Sequence, residues 1–369
     1  MKKYFIYLLV IISIVTACKD NSVEPIDEPD TLPEILAFYR KEAKMPGIIG
    51  AIINNENVEV YSEGLRKIDN TIIISDSDKF HIGSNLKAIS AMMIAKLVEE
   101  GQLNWQTKII DVFPEFSGQI PSEFESITIH KLLTHRAGIT AFENYEDVLT
   151  LPNFNGDIKQ QRSEFCLWVL NNSDKTKIDS YQYSNGGYVV AAAMVERLSG
   201  MLWEDLMILK IFSQMNIQPV YSWPAKNNSS QPWGHTFENN TFIPFDPNGS
   251  IQWPEIFNPS GNLSLSIADY IKIIKLHLEG LNGNASIISQ ASYQFLHQPV
   301  GDYSCGWLEG TTQTGIKFSY HDGSDGTFYA ISLMHPYLKR ASIVFSNCDS
   351  ENTRLNCTTA AIKILEKIK

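Results

Sequence analysis

Strand-like sequence sits at the two ends of this chain and is nearly absent between them, and that separation limits the fold more than any other feature. Gly47 to Asn54 (GIIGAIIN) is a short apolar, β-branched run, and Val58 to Glu63 alternates with the period of a half-buried strand. The intervening Asn55-Glu56-Asn57 supplies turn chemistry for a hairpin. Strand-like segments return only near 303–308, 316–321, 327–334 and 341–347. Strand backbone needs hydrogen-bond partners, so early and late strands are expected to share one antiparallel sheet. Helices should flank it. Thr31-Leu32-Pro33-Glu34 has the form of a capping box that opens a helix to about Lys44, and another helix begins near Glu351. From about 102 to 300 the pattern is helical with polar loops, with helices at Ile129–His135, Tyr188–Ser199 and Ser266–Glu279. This reads as an insertion and not a second core. The class is α+β.

The N-terminus reads as an export signal. Lys2-Lys3 precede an apolar run from Tyr4 to Val15, too short to span a bilayer, and the small-residue stretch Thr16-Ala17-Cys18 follows. Val15 to Cys18 resembles the bacterial lipobox, which implies that residues 1–18 are a lipoprotein signal peptide and Cys18 the lipidated residue. Residues 19–30 (KDNSVEPIDEPD) hold five acids and two prolines with almost nothing to bury, so they read as an acidic tether. The folded part is expected over 31–369. The expected setting is the bacterial cell envelope, periplasmic or outer-surface, with the membrane as a partner through the lipid. The formal charge of −11 argues against nucleic acid, because phosphate binding needs clustered Lys and Arg. Cys166, Cys305, Cys348 and Cys357 are left in an oxidising compartment, where a disulfide is permitted and buried free thiols fit as well.

Three clusters carry chemistry. Ser84-Asn85-Leu86-Lys87 puts a hydroxyl and an amine one helical turn apart, at the head of a helix whose Leu86, Ile89, Met93 and Leu97 mark one face and which Gly101 is placed to end. The lysine can take the serine proton if its amine is neutral, which requires desolvation or nearby positive charge. Tyr183-Ser184-Asn185 with Gly186-Gly187 offers a proton relay and an amide that could hold the lysine and a substrate carbonyl, and reads equally as a surface turn. His321-Asp322-Gly323-Ser324 follows a strand-like segment. Gly323 lets substrate approach an edge strand, and the Ser324 amide pairs with that of Ser84 as a second oxyanion donor; a polar hairpin turn is the plainer reading. Residues 222–261, with Trp223, Trp253 and no usable period, read as a long surface loop facing substrate.

SxxK, then YxN, then HxG, in this order and at these separations, resemble the serine β-lactamases and penicillin-binding proteins, most nearly the class C β-lactamase-like branch that also contains esterases and D-amino-acid peptidases. The resemblance covers about residues 31–366. Leu132 to Ile139 (LLTHRAGI), Pro259 to Ser266 (PSGNLSLS) and Gly306-Trp307 also look like that branch, as structural rather than catalytic stretches. It implies a β-lactamase/transpeptidase-like fold and an acyl-enzyme on Ser84, with Lys87 and Tyr183 sharing the proton transfers, Asn185 orienting, and no cofactor or metal. Where the lactamases have Lys-Thr-Gly to receive a substrate carboxylate, this chain has His321 and Asp322, a mostly neutral imidazole and an anion that would repel a carboxylate if it faced the site. The expectation is therefore an esterase or peptidase on a small-molecule or peptide substrate. The alternatives are a β-lactamase or D,D-/D-amino-acid peptidase, and a non-catalytic ligand-binding lipoprotein. The chain has neither HExxH nor GxSxG, and His130 and His135 read as surface or packing residues.

Overall fold

The computed structural model describes residues 29–367. The signal peptide, Cys18 and nearly all of the acidic tether lie outside them. Ten strands and a set of helices make up the fold, and we label the strands β1 (Gly47–Asn54), β2 (Asn57–Gly64), β3 (Lys79–His81), β4 (His235–Glu238), β5 (Thr241–Pro244), β6 (Ser264–Ser266), β7 (Leu308–Thr311), β8 (Lys317–Ser324), β9 (Tyr329–His335) and β10 (Arg340–Ser346). The longer helices are α1 (Leu32–Glu42), α2 (Leu86–Glu99), α3 (Ile158–Asn171), α4 (Asn185–Ser199), α5 (Ile267–Leu281) and α6 (Glu351–Lys367).

One six-stranded sheet in the order β2-β1-β10-β9-β8-β7 joins the two chain ends, every neighbouring pair antiparallel. β1 is an interior strand, apolar from Gly47 to Ile53 and paired on both edges, with Gly50 opposite Val344 of β10 and Tyr61 of β2. Alternation along the strands sorts side chains into two layers. Ile48, Ile331, Leu333 and Val344 face α1 and α6, while Ile49, Ala330, Ile343 and Phe345 face α2 and the helices of the middle segment. The Thr31 capping box forms as its sequence predicts.

Three expectations are corrected. α2 is not a one-faced helix: every residue from Leu86 to Ala95 is buried. The sheet covers one side, and the small Ala88, Ser90, Ala91 and Ala95 admit neighbours on the other. Residues 222–261 are not a plain surface loop. They contain the β4–β5 hairpin and bury Trp223, Ile256 and Phe257, so ring packing rather than periodicity orders them. The strand expected at 303–308 starts only at Leu308.

Candidate active site

The site forms where α2 begins. β3 pairs with β6, Phe80 opposite Leu265, and the Ile82 amide donates to the Leu263 carbonyl at 2.9 Å. Two segments remote in sequence, the one before Ser84 and the one after Ser260, are thereby locked side by side. Gly83–Asn85 is a short 3-10 turn leading into α2, so the Ser84 amide belongs to the first turn, where N–H groups have no intrahelical acceptor. Asn85 fastens this turn to the sheet. Its amide nitrogen donates to the carbonyls of Ile82 (2.9 Å) and Ala330 (3.1 Å), and its oxygen accepts from Tyr270 (3.0 Å).

β7 pairs with β8 only as far as Tyr320. The edge of β8 from His321 to Ser324 is therefore open, and Gly83-Ser84 crosses it. A Cβ on Gly323 would lie 2.3 Å from the Ser84 nitrogen, and one on Gly83 would lie 2.5 Å from the Ser324 nitrogen. Gly83 also has φ +52, a region costly for other residues. Both glycines are required for the two amides to stand beside each other.

Lys87 is fully buried, and its Nζ has three partners: Ser84 Oγ at 2.9 Å, Asn185 Oδ1 at 2.7 Å and the Ser260 carbonyl at 2.5 Å. Burial holds the amine well below its ordinary range, against a smaller opposite pull from Glu143 and Asp322. A neutral amine has two N–H groups and one lone pair. The Asn185 and Ser260 oxygens can only accept, so they take the two protons and leave the lone pair facing the Ser84 hydroxyl. The orientation of Asn185 is fixed independently, because its Nδ2 donates to the Phe142 carbonyl at 2.7 Å. That bond uses one of the two amide N–H groups, and Asn185 lines the pocket at Ser84.

Tyr183 also stands within hydrogen-bonding reach of Ser84, with Lys87 Nζ over its ring, 4.8 Å from the centre. Burial pushes its hydroxyl well above the ordinary range, and the contact with Ser84 offsets this only in part, so the phenol keeps its proton. The Tyr183–Asn185 segment is a helix entry and not a surface turn. Ser184 caps α4 by accepting from the Gly187 amide at 2.9 Å, and its own amide donates to His135 Nδ1 at 3.1 Å. His135 is buried against the Tyr183 ring at 4.3 Å, a packing and positioning role. His130 packs against the stacked pair of Trp105 and Phe295.

In the third cluster, strand alternation separates His321 from Asp322. His321 points to the site side and is 2% exposed. Its Nδ1 lies 2.6 Å from the Asp322 carbonyl, to which it must donate, so Nε2 is the acceptor for the Tyr303 hydroxyl at 3.0 Å. Burial pushes the ring down to about 3. Asp322 faces the other side of the sheet, where it accepts from Tyr329 at 3.2 Å. The expectation that Asp322 confronts the substrate is therefore corrected. Ser324 also turns its side chain to that layer, donating to Asp349 at 2.6 Å, and only its amide serves the site.

Ser84 opens into a small pocket of about 40 Å³ bounded by Asn185, Phe257, Ser260, Ser324 and the buried His81 and Asp325. Through Trp253 and Asn262 it continues into a cleft of about 220 Å³ lined by Tyr221, Trp223, Lys226 and Gln252. Asp325 shapes the boundary by accepting from the Trp223 indole and from the Thr327 and Phe328 amides. Among the described residues no cluster could hold a metal ion, and the four cysteines are buried free thiols. Of these residues the sequence missed the Ser260 carbonyl, Asn85 and Tyr303. The PSGN stretch was its only hint of the first.

A profile of the family described as Beta-lactamase matches residues 32–365. Penicillin-binding protein 4 of Amycolatopsis lactamdurans is 24% identical over 304 residues, 78% of this chain and 77% of the relative. Protein flp of Staphylococcus aureus (strain N315) is 24% identical over 337 residues, 88% of this chain but only 64% of that longer relative. Two solved structures share the fold at a TM-score of 0.72: the octameric penicillin-binding protein homologue from Pyrococcus abyssi, at 21% identity over 90% of this chain and 75% of that one, and the class C beta lactamase from Rhodobacter sphaeroides, at 15% identity over 90% and 98%.

Proposed function

Since the chain belongs to the beta-lactamase family, we propose that it is a serine hydrolase that forms an acyl-enzyme on Ser84. The observation that carries this reading is the fully buried Lys87 amine 2.9 Å from the Ser84 hydroxyl, where burial shifts it toward the neutral form that can accept a proton. Ser84 Oγ attacks a carbonyl carbon as Lys87 takes its proton. The negative charge that develops on the carbonyl oxygen is met by the Ser84 and Ser324 amides. Tyr183, still protonated, supplies a proton to the leaving group as the carbon–heteroatom bond breaks. Lys87 then gives its proton to the Tyr183 phenolate, which restores both groups while Ser84 stays acylated. Water attacks the acyl carbon with the same groups in reverse order, releasing the acid and restoring Ser84.

The substrate is an ester or amide without a carboxylate beside the scissile bond. His321 supports this, because its one N–H is committed to the Asp322 carbonyl and its other nitrogen to Tyr303, so the position offers neither a cation nor a free donor. The 220 Å³ cleft with Trp223, Trp253, Lys226 and Gln252 suits the non-reacting part of the substrate. We further propose that Cys18 is acylated and tethers the domain in the cell envelope, on the strength of the lipobox-like Val15 to Cys18.

The test is covalent labelling with a fluorophosphonate, followed by comparison of p-nitrophenyl esters with nitrocefin. Wild type labels, and Ser84→Ala loses labelling and about 10⁴-fold or more of the hydrolysis rate. Equal labelling of the two would sink the nucleophile assignment. Efficient nitrocefin turnover with negligible ester hydrolysis would instead favour a β-lactamase.

A further inference from the structure

The end of the sheet farthest from Ser84 exposes apolar side chains on a rigid turn. β9 leads into β10 through Pro336–Leu338, where Tyr337 is 86% and Leu338 48% exposed. The turn is not loose, since Asn282 Nδ2 donates to the Pro336 carbonyl at 2.6 Å and the Asn55 amide donates to the Lys339 carbonyl at 3.0 Å. That second bond joins it to the β1–β2 hairpin, on which Val58 is 41% exposed. Lys317, exposed at the start of β8, and the half-buried Lys339 of the turn lie at this same end of the sheet.

The chain enters the fold at this same end. α1 runs back along β1 with Leu36 against Gly50. α6 runs back along β10, its Ala361 carbonyl accepting from Ser342 at 2.7 Å. At the far end of α6, Lys367 pairs with Asp30, and Glu366 accepts from Thr314 of the β7–β8 turn at 2.8 Å. Asp30 and the Tyr337 turn therefore share one end of the sheet. Ser84 lies at the other, about 24 Å away along β8 from Lys317 to Ser324.

We propose that this end is a lipid-facing surface: in the chain acylated at Cys18, Tyr337, Leu338 and Val58 rest in the headgroup region of the bilayer, Lys317 and Lys339 meet lipid phosphates, and Ser84 is held away from the membrane. The proposal rests on the acylation of Cys18 put forward above. Asp30 is twelve residues beyond Cys18, a reach of at most about 40 Å, so acyl group and turn can engage one membrane surface together. A tyrosine ring suits that interface because its body is apolar and its hydroxyl stays wet. The turn adds what the tether lacks, a fixed orientation.

The test uses the mature full-length protein on vesicles of phosphatidylethanolamine and phosphatidylglycerol at about 3:1. A fluorophore is attached at Gln313→Cys, exposed in the β7–β8 turn, or at Ser229→Cys, exposed beside the cleft; the four thiols among the described residues are buried, and acylation blocks that of Cys18. The label at 313 is expected to be quenched by aqueous iodide at least about three-fold less than that at 229. Tyr337→Ser with Leu338→Ser, or Tyr337→Asn alone, restores quenching at 313 while fluorophosphonate labelling of Ser84 persists. Equal quenching at both sites, or shielding that survives these substitutions, overturns the proposal. Intact mass reads acylation of Cys18 separately. An unmodified cysteine overturns both the anchor and this orientation, leaving the hydrolase reading to the Ser84 experiment.

Discussion

The two faces of the sheet bury different chemistry. Toward α1 and α6 most of the interior is hydrocarbon, with Leu36, Ile48, Leu333, Val344 and Ile364, and two thiols, Cys348 and Cys357; its carboxylates, Asp322 and Asp349, are hydrogen-bonded at one end by Tyr329, Ser324 and Arg354. Burial pushes the Cys348 thiol up to about 12, so it acts as a small apolar group. Toward α2 the same strands, one residue out of phase, cover Lys87, His135, His277, His297 and His321, and beyond them Arg162. Groups that water would charge are held neutral there, or are paired. Arg162 bridges α3 to Glu196 of α4 at 2.5 Å and to Glu204 at 2.6 Å, and donates to the Ile256 carbonyl at 3.3 Å. That network fixes the segment whose Ser260 carbonyl holds Lys87. One face contributes stability, and the other gives some up to keep an amine neutral and aimed.

The largest effect that separates the faces is expected at Lys87. Lys87→Met removes the base and slows hydrolysis by about 10³-fold or more. Its melting temperature should be no lower than wild type, because an apolar chain of similar size no longer has to suppress a charge. A variant that is both slow and clearly destabilised would show that Lys87 is structural. Arg162→Met leaves Glu196 and Glu204 unpaired and should cost about 3–5 kcal/mol by urea denaturation.

Acid sharpens the comparison further. His277 and His321 are both pushed down to about 3 by burial. Their folded values lie below the unfolded value of about 6.5. Above that pH neither state is protonated and they leave stability unchanged. Below it the unfolded chain takes up protons that the folded one refuses, so stability falls from about 6.5 toward 3, by up to about 1.4 kcal/mol per pH unit per histidine. Urea midpoints at pH 7.5 and 5 check this, and an unchanged midpoint counts against burial of neutral rings. The smallest effect belongs to the other face, where Cys357→Ala should cost about 1 kcal/mol by the same measurement and leave ester hydrolysis unchanged.

Much of this was legible in the sequence, and for identifiable reasons. The β1–β2 hairpin, the Thr31 capping box, the start of α6 and the union of both chain ends follow from local periodicity and turn chemistry, which act over a few residues. Ser84, Lys87, Tyr183 and His321 could be named because their spacing is a family pattern. The extent of burial around α2 was not legible, since small residues do not announce what packs on them. Order in 222–261 was also hidden, because it comes from rings such as Trp223 and Phe257 meeting distant partners.

The sequence by itself determined which groups are available: a hydroxyl and an amine one turn apart, a tyrosine and an asparagine, and a histidine two residues before Gly323. Tertiary structure alone decided what each of them does. It supplied the Ser260 carbonyl, 173 residues from Lys87, that uses up one N–H and helps turn the lone pair to Ser84. It committed both nitrogens of His321, and it sent Asp322 to the opposite face. Proton positions and pKa values depend on the nearest polar atoms and on exclusion of water, and those neighbours are set by chain crossings that local sequence does not encode.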